Sequence, residues 1–126
     1  MALFGALATG CAGGGSGDGF EQPPVSDFRA GACTTLAPDI LSVGRDARRL
    51  GTANVAPPSV QAALKQAQDR LRAAESTLEA DVAPMVSDVV VAIGAVRLSS
   101  DTGGLTLSIG KDLSTAYQRL VDGCIS

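Results

Sequence analysis

From Ser59 to Leu78 the apolar residues Val60, Ala63, Leu64, Ala67, Leu71, Ala74 and Leu78 recur at intervals of three and four, with Gln, Lys, Arg and Glu between them. Only an α-helix gathers such positions onto one face, and the Pro57–Pro58 pair ahead of them marks where it begins. The same period appears in three other stretches. Cys33, Leu36, Ile40, Val43, Ala47 and Leu50 form one stripe, with Ser26 as a candidate cap and Gly51 as a stop. Pro38 falls inside that stripe, so this helix is expected either to kink there or to begin anew just before it.

A third stripe carries Met85, Val86, Val89, Val90, Ile93 and Val96, with Asp81 as a candidate cap and Pro84 in the first turn. Its back is apolar as well, through Pro84, Val91, Ala95 and Leu98. A helix that is apolar all round is expected to lie at the centre of a fold, which would bury both faces. The fourth stripe runs from about Ser108 through Ile109, Leu113, Ala116, Tyr117, Leu120 and Cys124.

Four amphipathic segments with short connections predict an all-α chain, an antiparallel up-down four-helix bundle that returns the last helix to the start of the first. Composition fits. Hydrophobic residues make up 45 % of the 126 and aromatics only 3 %, so the interior is built from Leu, Val, Ile and Ala, which suits helix against helix. One local alternative stays open. VRLSS and LTLSI alternate apolar and polar residues around DTGG, which reads as helices plus a small β-hairpin around residues 96–109.

The chain opens MALFGALATGC, an apolar run ending in small residues before Cys11, and continues AGGGSGDGF and EQPPV. Leu7, Ala8, Thr9, Gly10 and Cys11 resemble the lipobox of bacterial lipoproteins. The resemblance implies a diacylglycerol on the Cys11 sulfur and cleavage that leaves Cys11 first. Residues 1–11 are then the end of a signal peptide, 12–25 a flexible Gly/Ser/Pro tether, and 26–126 the helical domain. No Lys or Arg precedes Arg29, so the initiation codon is expected upstream, with Met1 internal to the apolar region. The alternative is a cytosolic N-terminus that happens to be apolar. The whole pattern is similar to small actinobacterial-type lipoproteins, in which a lipobox and tether precede a disulfide-closed helical domain.

Three cysteines in an exported protein leave one to explain, and lipidation of Cys11 explains it. Cys33 and Cys124 then remain as a disulfide pair, one near the start of the folded part of the chain and one near its end, which the up-down topology brings together. The competing reading is two buried free thiols acting as small hydrophobes.

Function classes narrow by absence of the usual groups. Histidine is missing, the net charge is −3 without long runs of either sign, and no phosphate loop, zinc spacing or nucleophile motif occurs. A non-enzymatic chain is expected, with no cofactor, no metal and no nucleic-acid partner. Arg45, Arg48 and Arg49 form a candidate anion-binding face for lipid headgroups or anionic wall polymers, or else a solvated face. Val91, Ala95 and Leu98 are a candidate partner or ligand face, burial being the favoured alternative. Asp39 and Asp46, seven apart, are read as surface acids, and Tyr117 as a packed ring whose hydroxyl reaches water at the bundle's edge. The expected role is an anchored envelope protein that binds another protein. The alternative is a carrier holding a lipid or other apolar molecule among its helices.

Overall fold

The computed structural model describes residues 22–50 and 54–125. Cys11 and most of the tether lie outside them. Among the described residues four α-helices follow in order: α1 (Ala32–Arg48), α2 (Pro58–Ala74), α3 (Ala83–Asp101) and α4 (Leu107–Ile125). Short 3-10 turns at Val25–Asp27 and Glu75–Thr77 lead into α1 and out of α2. Each helix packs on its sequence neighbours, and α4 closes the ring onto α1. This is the expected all-α bundle, and among the described residues there is no strand.

The predicted stripes fill one core. Ile40, Val43, Val60, Leu64, Leu71, Val86, Val89, Ile93, Val96, Leu113 and Leu120 have their side chains fully buried. Each such residue contributes about 1.5–3 kcal/mol of apolar burial, so the ring is held mainly by aliphatic packing.

The hairpin alternative fails at the end of α3. Gly103 takes a left-handed φ of 72°, its N–H donates to the Ser100 carbonyl at 3.1 Å, and the Gly104 N–H donates to the Ser99 carbonyl at 2.7 Å. These bonds close a helix with a Schellman motif, and DTGG is therefore a helix stop rather than a strand turn. Thr106 then starts α4, its hydroxyl accepting the Ile109 N–H at 3.2 Å.

Several starts differ from expectation. Ser26 lies in a 3-10 turn and does not cap α1, which begins after Gly31, where φ is 99°. Pro38 neither divides nor restarts α1, which runs through it from Ala32 to Arg48. Pro38 and Thr34 both face solvent, so the Thr34 carbonyl that Pro38 cannot serve is within reach of water. Asp81 precedes the N-cap Val82 and does not cap α3. Its carboxylate instead accepts from Arg29 at 3.1 Å, and that guanidinium holds it below the ordinary carboxylate range. The α2 helix ends at Ala74, four residues before Leu78.

At one end of the ring Cys33 and Cys124 are bonded, with their Cα atoms 5.5 Å apart and 91 positions between them in sequence. Beside the bridge the Arg29 N–H donates to the Cys124 carbonyl at 2.7 Å, and Phe28 is buried against the core. At the other end the Ala56 N–H donates to the Ser100 hydroxyl at 2.7 Å and the Leu105 N–H to the Asn54 carbonyl at 3.0 Å. One end is thus fastened covalently and the other by loop hydrogen bonds.

A loop of this length, opened in a Cys33→Ser/Cys124→Ser variant, is expected to cost about 4–5 kcal/mol of unfolding free energy by chain entropy. Chemical denaturation of the variant against the oxidised parent measures it. A loss under 1 kcal/mol would show that the bridge does not restrain the unfolded chain.

Candidate functional site

The α3 helix buries the expected stripe of Val86, Val89, Val90, Ile93 and Val96 and keeps its second apolar stripe outside. Its large apolar side chains Val91 and Leu98 are 69 % and 70 % exposed, and Ala95 between them is exposed as well. The expectation that an all-apolar helix would be buried on both faces is therefore overturned. In a ring of four, each helix touches two neighbours and leaves its outer side to solvent, and on α3 that outer side is Val91, Ala95 and Leu98.

Polar bonds to neighbouring segments accompany that buried stripe. Gln68 of α2, 4 % exposed, donates through Nε2 to the Val90 carbonyl at 3.1 Å, and Arg97 of α3 donates to the Gln68 Oε1. A Cβ at Gly94 would sit 3.2 Å from the Gln68 Nε2, so glycine there lets the amide approach the helix backbone. One turn further on, Ser100 is buried and receives the Ala56 N–H. Gln68 and Ser100 would each cost about 1–3 kcal/mol if buried without a partner, which reinforces the rotation set by the buried valines and Ile93. Val91 and Leu98 are left outside as a consequence.

An open groove of about 430 Å³ lies between α3 and α4 beside this face. Its apolar lining is Val91, Ala92, Ala95 and Ala116, and its rim carries Asp88, Asp112 and Arg119. Small side chains on the floor and charges of both signs at the rim fit a partner helix or loop rather than an enclosed small molecule.

The three arginines do not converge on one site. Arg45 donates to the Gln22 Oε1 at 3.3 Å, on the α4 side of α1. Arg49 turns to α2, donating to the Ser59 hydroxyl at 3.3 Å and lying 3.7 Å from Asp46. Arg48 lines a second open groove, of about 240 Å³, with Leu50, Leu107 and Lys111 between α1 and α4. Asp46 is buried rather than a surface acid. Burial raises its carboxyl above the ordinary range, against the lowering pull of Arg49, Arg45 and a hydrogen bond from Ser42. Asp39 is bonded instead to Arg70 of α2 at 3.1 Å and forms no pair with Asp46.

Tyr117 is packed, as expected, but its hydroxyl does not end in water. The Gln22 Nε2 donates to it at 3.1 Å and to the Leu41 carbonyl at 2.7 Å. The ring lies across Gly44, where a Cβ would collide with it and come within 2.8 Å of the Gln22 Nε2. Gln22, assigned to the tether from sequence, is therefore part of the folded unit. Among the described residues no three of His, Cys, Asp and Glu converge as a cation site. The α3 helix is also long and apolar enough by composition to cross a membrane, a property shared by core helices of bundles.

No family profile, curated sequence or solved structure matches this chain. The site is accordingly read from its own chemistry.

Of the residues that build this arrangement, Gln68 carried a signal, since 60, 64, 68 and 71 share a helical face and a polar residue there must find a buried partner. Gln22 and Ser100 carried none. Tyr117 is the only tyrosine, and burial raises its phenol above the ordinary tyrosine range, partly opposed by Gln22 and Arg45. Its absorbance titration is expected to show phenolate forming above pH 10. Because the folded value is the higher one, this group's stabilisation is complete below the unfolded value and is lost as pH rises through the folded one. A midpoint at the ordinary value would contradict the Gln22–Tyr117–Gly44 packing.

Proposed function

We propose that this chain is a lipid-anchored protein of a bacterial envelope whose helical bundle is a non-enzymatic module that binds a protein partner through the outer face of α3. The observation that carries the binding reading is the second apolar stripe of α3, in which Val91, Ala95 and Leu98 stand in solvent while Val86, Val89, Ile93 and Val96 fill the core. Exposed apolar side chains beside a groove with a charged rim match the apolar centre and polar edge of a protein interface. An envelope location is supported by the Cys33–Cys124 bridge, because such bonds persist chiefly in oxidising compartments. With two cysteines joined, Cys11 is the remaining one, and it stands where the lipobox resemblance requires.

Two measurements test the two parts separately. The intact mass of the protein from native membranes is expected to show a diacylglyceryl group on Cys11, and a soluble chain without it would overturn the anchor. For the interface, a photo-crosslinker placed beside Val91 in native cells is expected to capture one discrete partner. The Val91→Asp/Leu98→Asp variant, whose stability should change by less than about 0.5 kcal/mol because both sites are exposed, is expected to lose that product. Unchanged crosslinking in a folded variant would show that this face is not the contact.

A further inference from the structure

The two ends of the bundle differ in charge. Around the bridge, the exposed or half-exposed acids Asp27, Glu75, Glu79, Asp81 and Asp122 outnumber Arg29 and Arg72. At the opposite end Arg45, Arg48, Arg49 and Lys111 are all exposed and outnumber Asp101, Asp112 and the buried Asp46. The chain as a whole carries −3, so this is a local reversal of sign. The same end also presents apolar tips: Leu107 is 57 % exposed and Val55 49 %. Leu107 borders the groove lined by Arg48 and Lys111, so cation and hydrocarbon stand side by side.

The path of the chain adds an independent constraint. Gln22 is held beside Leu41, Gly44 and Arg45, along the C-terminal half of α1, whereas Arg29 is bonded to Cys124 at the bridge. The described chain thus begins nearer the arginines than the bridge. Ten residues lie between Cys11 and Gln22, a reach of at most about 40 Å. We propose that the end of the bundle carrying Arg45, Arg48, Arg49 and Lys111, with Leu107 and Val55, docks on an anionic phospholipid surface, so that the acidic bridge end points away from the membrane. The proposal rests on the lipid-anchor reading for its setting, and its forces act without the anchor. Cations draw the end to anionic headgroups, and the apolar tips enter the interfacial layer. In this orientation the α3 face lies on the flank of the bundle, open to a partner.

The test uses the full chain as Cys11→Ser, which cannot be acylated, mixed with vesicles of phosphatidylcholine alone or with phosphatidylglycerol added. Binding is expected only to the anionic vesicles and to weaken with salt. An Arg48→Gln/Lys111→Gln variant, checked for an unchanged melting temperature, is expected to partition about fivefold less for each cation removed. A fluorophore on Leu107→Cys should move to a less polar environment on binding, and one on Glu79→Cys should not. Equal binding to neutral vesicles, no binding to anionic ones at low salt, or a response from both probes would overturn the proposed docking. Because the protein is unacylated, such a failure leaves the anchor untouched, and an unacylated Cys11 in cells would leave vesicle docking untouched.

Discussion

The bond between Cys33 and Cys124 joins the first turn of α1 to the last turn of α4, and the rest of the bundle is arranged by that closure. A ring of four antiparallel helices has its weakest point between first and last, since no short connection holds them there. The bridge supplies that connection. Its partners are local: the Arg29–Cys124 backbone bond and buried Phe28 beside it, and the Arg29–Asp81 pair that links the lead-in of α1 to the start of α3. With α1 and α4 held together, Tyr117 can lie across Gly44 and Gln22 can fold over both. An aliphatic core with few aromatics gains much from such a restraint, because its packing has no single large anchor.

A second constraint lies along α3. Its buried stripe of Val86, Val89, Val90, Ile93 and Val96 sets which side faces the core, and the Gln68 amide and the Ser100 hydroxyl find partners beside it. Buried polar groups that must be satisfied are costly to turn outward once their partners are buried, so the rotation is well defined. The exposed valine and leucine are the result of that rotation, and the α3/α4 groove gives them a neighbour of small side chains and mixed charge.

The stripes of α1, α2 and α4 could be read from spacing, because each has one apolar face and three-and-four periodicity places it inward. The bridge between Cys33 and Cys124 followed from that topology together with the lipobox resemblance. The inward stripe of α3 was legible from spacing too. The exposure of Val91 and Leu98 was not, because an aliphatic back gives no sign of facing solvent, and the polar partners of α3 lie far off in sequence: Gln68 is 22 positions from Val90, and Ala56 is 44 from Ser100. The DTGG segment was ambiguous for a different reason. Alternation over five residues on either side satisfies a hairpin, and only the two backbone bonds that close α3 decide for a helix stop. Positions 45, 48 and 49 lie on one side of the helix by spacing, and the arginines divide because Arg48 and Arg49 stand about 100° apart, one toward α4 and the other toward α2.

The closure of the ring depends most on the bridge being oxidised in the cells that make the protein. Peptide mapping of the protein from those cells, alkylated without reduction, tests this directly. One linked peptide pair containing Cys33 and Cys124 is expected, with neither cysteine alkylated. Recovery of both as alkylated thiols would contradict the closure of the ring and remove the support it lends to the proposed oxidising compartment.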